Sequence, residues 1–261
     1  MRTLLAILLA CCGIAYAPFG AHAQFSFEAG EQASPLRVGD QLIVNHFVAD
    51  DARYATHLVI TDHEGTGAVV NVLVYDESGV LVDEQSFFLP IFGKVNYNPA
   101  ERLKGKVFRG TIHLFSDGGN ISAQYWHTYR DPARSAFNTA IPAASAVGSG
   151  ALLCQHVVAA PGIDARLILT NPSADSAVTV SVTFYLDRGK QLTRDKHSIP
   201  PNGMLALDPY VENEGLARTG LAYCEVIGHG VITGEYWQAS EEERYQVSLP
   251  LDAIPVREKH W

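Results

Sequence analysis

The chain repeats itself once, and the repeat has the length of a whole domain. Residues 42–62 (LIVNHFVADDARYATHLVITD) return as residues 152–171 (LLCQHVVAAPGIDARLILTN), so that His46 and His156 fall 110 positions apart. VNVLVYDESG at 70–79 returns as VSVTFYLDRG at 180–189, and FFLPIFG at 87–93 returns as HSIPPNG at 197–203, both at the same offset. ISAQYW at 121–126 returns as ITGEYW at 232–237, one residue later. Two copies do not make a solenoid, and a period of this size exceeds a supersecondary unit. The chain of 261 residues therefore reads as two homologous domains, 24–142 and 151–261. The small, uncharged stretch 143–150 (AASAVGSG) reads as the linker between them.

Each copy is written in the grammar of an all-β fold. Apolar runs of about 5–9 residues, rich in Val, Ile, Thr, Tyr and Phe, alternate with turn signals. The spacing predicts strands near 41–48, 56–62, 68–76, 80–88, 107–115, 120–128 and 136–141 in copy one. It predicts strands near 151–158, 165–171, 177–185, 191–199, 221–227, 231–238 and 244–249 in copy two. Turns are explicit at Asp76-Glu77-Ser78-Gly79, Asp117-Gly118-Gly119, Asn171-Pro172-Ser173 and Asp187-Arg188-Gly189. About seven short strands per copy point to two tandem immunoglobulin-like β-sandwich domains, with a jelly roll as the alternative topology. Val70, Val72 and Val74 share one strand face and Asn71, Leu73 and Tyr75 the other. Apolar residues on both leave the inward face open.

Composition bounds the partners. A hydrophobic fraction of 47% excludes a disordered chain. With 19 Lys plus Arg against 28 Asp plus Glu, the net charge of −9 argues against nucleic acid. Residues 1–23 read as a secretory signal peptide: Arg2, an apolar run from Leu4 to Ala17, the breaker Pro18, and the small-x-small site Ala21-His22-Ala23. Lipidation at Cys11 is the alternative processing. The expected location is the periplasm or the medium, and the mature chain shows no second run of membrane-spanning length. Cys154 and Cys224 remain after processing, and in an oxidising compartment they are expected to form a disulfide.

Two groups of residues are candidates for function. His46, His57, His63, His113 and His127 lie in copy one, where three or four converging donors would make a zinc or copper site. At the matched positions copy two has His156, Arg166, Pro172, Cys224 and Gln238, and Cys154 falls opposite Val44. The aromatic pairs Tyr125-Trp126 and Tyr236-Trp237 are the second group. Neighbours along a strand point to opposite faces, so one member of each pair belongs to the core. The other is available to a protein or surface-glycan partner. Asp50-Asp51 and Glu241-Glu242-Glu243 read as solvated acidic runs. No Gly-x-Ser-x-Gly elbow, phosphate-binding Gly loop or His-Glu-x-x-His is present in the sequence.

The motifs Leu167–Pro172 (LILTNP), Phe184-Tyr185, Ile199–Gly203 (IPPNG) and the late hairpin His229–Trp237 resemble tandem β-sandwich repeats of secreted bacterial proteins. Copy one departs from them at Asp62-His63 and Ile91-Phe92. The resemblance implies an immunoglobulin-like fold and export, and no common activity. The reading is an exported, non-catalytic binding, adhesion or assembly protein without a cofactor. The alternatives are a periplasmic metal-binding protein using copy-one histidines, and a hydrolase with a dispersed site.

Overall fold

The structure, a computed structural model, describes residues 38–49, 53–104, 108–129, 137–215, 217–240 and 245–254. The signal-peptide segment 1–23, Cys11, Asp50, Asp51 and Glu241, Glu242, Glu243 lie outside the described residues.

Copy one contributes β1 (Val38–Gly39), β2 (Gln41–Val48), β3 (Tyr54–Asp62), β4 (Ala68–Asp76), β5 (Leu81–Leu89) and β6 (Lys94–Tyr97). It continues with the one-turn helix α1 (Pro99–Arg102), β7 (Arg109–Asp117), β8 (Ile121–Tyr129), β9 (Phe137–Asn138), β10 (Ile141–Pro142) and β11 (Ala144–Ser145). Copy two contributes β12 (Ala151–Ala159), β13 (Asp164–Thr170), β14 (Val178–Leu186), β15 (Gln191–Ile199) and β16 (Met204–Leu207). It ends with α2 (Pro209–Glu212), β17 (Arg218–Val226), β18 (Thr233–Ser240), β19 (Tyr245–Pro250) and β20 (Asp252–Ala253). All fourteen expected runs carry strand.

These strands form four five-stranded sheets. Sheet 1 runs β1-β8-β3-β6 with β10 also on β8, and sheet 2 runs β11-β2-β7-β4-β5. Sheets 3 (β15-β14-β17-β12-β20) and 4 (β16-β13-β18-β19-β9) repeat the pattern in copy two. Each pair encloses its own core. Val70, Val72 and Val74 are the inward residues of β4, packed with Leu58, Ile60 and Leu114. Val180, Val182 and Phe184 do the same in copy two.

The registers correct one alignment. Gly110 and Gly220 are equivalent: a Cβ on either would lie 1.8 or 1.9 Å from the carbonyl oxygen of Tyr75 or Tyr185 respectively. Only glycine fits that close strand crossing. Cys224 is therefore the counterpart of the inward Leu114, and His113 the counterpart of Tyr223.

The expected Cys154–Cys224 disulfide is not formed; both thiols are free and buried. Cys154 sits opposite Ala222, and Cys224 opposite Leu152. The two are diagonal neighbours, whose Cα atoms in a ladder lie about 7–8 Å apart. A disulfide ordinarily spans about 4.4–6.8 Å. Burial raises both thiol pKa values, that of Cys154 to about 12.

The two copies pack as one compact unit within Leu36–Trp261. The stretch read as a linker is part of the sheets. Ala144 and Ser145 pair with Ile43 and Leu42, and Ser149 bridges Ile232. Ala143 and Ala144 are buried, a place their small side chains fit. The run expected at 136–141 divides. Ile141-Pro142 stays on β8, whereas Phe137-Asn138 crosses to sheet 4 and pairs in parallel with Tyr245-Gln246. A separate apolar cluster fills the seam: Val48, Tyr54 and Tyr129 from copy one meet Ile168, Met204, Trp237 and Ala239 from copy two. No helix among the described residues is long and apolar enough to cross a membrane.

Candidate metal centre

A β-bulge begins the site. On β2 the register to β7 shifts between Val44 and Phe47, so that Asn45 and His46 together face Thr111. A bulge re-aims a side chain that regular pleating would send elsewhere. Here both residues turn into the seam. Asn45 accepts hydrogen bonds from Thr170 at its carbonyl (3.1 Å) and from Thr233 at Oδ1. His46 reaches Glu235 on β18, with Nδ1 3.6 Å from Oε1.

His127 on β8 approaches the same carboxylate, its Nε2 3.9 Å from Glu235 Oε1. The ligand atoms of His46, His127 and Glu235 all lie within 4.8 Å of one another. All three residues are buried, Glu235 at 0% exposure. The second atoms of two of them are tied down. Tyr125 donates to Glu235 Oε2, and Thr56 Oγ1 lies 2.8 Å from His127 Nδ1 while accepting the Val48 amide at 2.7 Å. Such outer partners fix the orientation of a ligating imidazole and carboxylate.

The three converging atoms themselves, His46 Nδ1, His127 Nε2 and Glu235 Oε1, have no hydrogen-bond partner. The Trp237 indole N–H is equally buried and unpaired, and its ring packs against both imidazoles at 5.8 and 6.2 Å. Burial pushes His46 down to about 4, against the opposing pull of Glu235. Burial alone would raise the Glu235 carboxyl, but contacts from His127 and His46 outweigh it and hold it below its usual value. Both directions favour the neutral imidazole at His46 and the ionised carboxylate at Glu235. Those are the states in which these groups bind metals.

The five-histidine set does not converge. His46 and His127 meet. His57 stacks on Trp126 at 5.7 Å, on the outer face of sheet 1. His63 is exposed in a turn, and His113 is buried against Tyr75 at 4.9 Å. The third donor is Glu235, from copy two rather than copy one. A signal did exist in the matched strands. Copy one has Gln124 where copy two has Glu235, and His127 where copy two has Gln238.

The aromatic pairs divide as strand geometry requires. Tyr125 and Tyr236 point into the two cores. Trp237 points outward but is covered by copy one, at 2% exposure. Of the four, only Trp126 is partly exposed. Three of the four are therefore removed as a surface platform, because their faces are spent on packing.

No family model matches the chain, and no curated protein matches it. Among solved structures, a candidate β-galactosidase from Bacteroides fragilis aligns at 14% identity and a TM-score of 0.18, covering 78% of this chain and 31% of that one. A calcium-binding mutant of Bacteroides uniformis β-glucuronidase 2 aligns at 12% identity and a TM-score of 0.15, covering 75% of this chain and 24% of that one. The chain thus spans about a third or less of either structure's length, and alignments this loose carry no argument.

Proposed function

We propose that this is an exported, non-catalytic metal-binding protein of two tandem immunoglobulin-like β-sandwich domains. A zinc ion, or copper in its place, held by His46, His127 and Glu235 clamps the two domains together. The observation that carries the reading is the convergence of three buried, unpaired ligand atoms from both copies. Leaving a buried anion and two polar nitrogens unsatisfied is costly, and a cation at their centre satisfies all three. A tetrahedral ion with bonds of ~2.1 Å sets its donors roughly 3.4 Å apart; the two imidazole–carboxylate contacts, 3.6 and 3.9 Å, lie near that spacing, and the three atoms, all within 4.8 Å of one another, draw together on binding. A water in the fourth position would give the Trp237 N–H an acceptor. The closure of the pocket favours a structural role, since a catalytic ion keeps a position open to substrate.

Export rests on the signal-peptide pattern of residues 1–23. A protein or surface-glycan partner rests on the partly exposed Trp126 and its stack with His57. The two best-formed cavities among the described residues do not touch the triad. The larger, about 260 Å³, is lined by groups such as Ser149, Leu152, Ile232 and Thr233 that do not titrate near neutral pH.

Metal analysis of protein purified without chelators tests the reading. About one zinc or copper per chain is expected, and Co²⁺ substitution should give visible bands of a low-symmetry site. Glu235→Gln and His127→Gln, the second installing the copy-two residue, should each reduce bound metal by more than tenfold. Wild-type protein that takes up no metal from excess zinc or copper overturns the proposal.

A further inference from the structure

The seam between the copies is one-sided. Copy one offers β2, the Asp76–Gly79 turn, Tyr54 of β3 and Tyr125, His127 and Tyr129 of β8; copy two offers β13, β18 and the Pro200–Gly203 loop. Met204 donates its amide to the Glu77 carbonyl at 3.1 Å, and Thr111 donates to the Asn202 carbonyl at 2.9 Å. Gly79 lies so close to Pro201 that a Cβ there would be 1.9 Å from the Pro201 oxygen.

The equivalent surfaces are left uncovered. The counterpart of the Asp76–Gly79 turn is 186–189, where a Cβ on Gly189 would meet nothing within 4 Å. The counterparts of His46 and Glu235, His156 and Gln124, are exposed, and Trp126, the counterpart of Trp237, is partly so. A contact that uses different faces of two equivalent units is heterologous, and its unused faces are complementary in kind.

The counterpart of the docked loop is the most telling. Pro90–Gly93 has the frame of Pro200–Gly203. Gly93 and Gly203 donate to the carbonyls of Pro90 and Pro200, and Phe92 (φ 52°) and Asn202 (φ 55°) share the left-handed conformation. Asn tolerates that conformation, whereas Phe is strained in it. Yet copy one places Phe88, Ile91 and Phe92 where copy two has Ser198, Pro201 and Asn202, and these three are 72, 65 and 73% exposed. Phe92 lies over Gly65 and Phe88 reaches Gly67, so the three form one apolar tip. Large apolar side chains clustered in water mark a contact surface.

We propose that the protein assembles head to tail with further copies of itself. The tip Phe88/Ile91/Phe92 and the Trp126 face of one chain dock on the 186–189 turn and the outer face of β12 and β17, with Leu221 and Tyr223, of the next. Each chain then repeats at its ends the contact it already makes internally, and the result is an open filament or a ring. The inference does not depend on the metal centre.

Sedimentation velocity of the purified protein from micromolar to several hundred micromolar tests it. The weight-average mass should rise with concentration beyond that of a dimer. Two variants block one end each: Phe88→Ser with Ile91→Pro and Phe92→Asn, which installs the copy-two loop, and Leu221→Arg on the other face. Each alone should associate at least tenfold more weakly than wild type, while a mixture of the two should form a complex of two chains and nothing larger. That recovery also demonstrates that both variants are folded. A wild-type monomer throughout overturns the proposal. So does Leu221→Arg associating as well as wild type, which would mean tip-to-tip contact, and so does a mixture that recovers no complex.

Discussion

Replacing Trp237 with Ala should cost about 3–5 kcal/mol of folding free energy, read as a lower urea midpoint. The indole is almost fully enclosed. It meets Tyr54 edge-on at 5.4 Å, touches both imidazoles of the triad, and shares its cluster with Ile168 and Met204. Removing so large a buried ring loses its apolar transfer and leaves a cavity among Tyr54, Ile168 and Met204. Trp126 is the control that chemistry alone cannot provide. It is the same residue at the matched position of the matched strand, but it is partly exposed and stacks on His57. Trp126→Ala should cost no more than about 1 kcal/mol at concentrations too low for self-association. Equal losses at the two positions would mean that the seam contributes little to stability.

Acid should weaken the fold through His113. This imidazole is 3% exposed, packed on Tyr75, with Nε2 unpaired, and burial lowers its pKa to about 4. In the unfolded chain it titrates near 6.5. Between those values the unfolded state binds the extra proton, so stability is complete above about pH 6.5 and falls as the pH drops toward 4. At pH 4 the difference amounts to about 3 kcal/mol. His113→Phe keeps a flat ring against Tyr75 and removes the proton site. Urea titrations at pH 7 and pH 4 should show the variant losing about 3 kcal/mol less than wild type. Parallel losses would show that His113 does not supply the acid sensitivity.

Much of this fold was legible because the duplication acts as a second witness. A run such as 178–186 is ambiguous alone, but its match to 68–76 at a fixed offset makes both strands. The short elements escaped for a physical reason. β6 and β16 have four residues each, as do α1 and α2, too few for any period to register. Their signal was chemical instead. Asn98-Pro99 and Asp208-Pro209 are N-caps followed by proline at the first helical position, with each cap side chain accepting an amide from the first turn. The site was half legible. His46 stood out as a repeated histidine, and His127 as one without a counterpart. Glu235 did not, because a buried carboxylate on β18 looks like any polar strand residue until copy one covers it. Which outward face meets the other copy is decided by the packing of two sandwiches. Neither strand pattern records that choice.

The parallel pairing of Phe137-Asn138 with β19 separates two units that the repeat would equate. The gene-level module closes near residue 142, but the module that folds does not, because sheet 4 borrows its last strand from the preceding copy. Copy two cut free at residue 143 would carry β19 as a bare ladder edge, seeking another backbone to replace the missing one. The two halves are alike in sequence, yet only one of them lends a strand to the other.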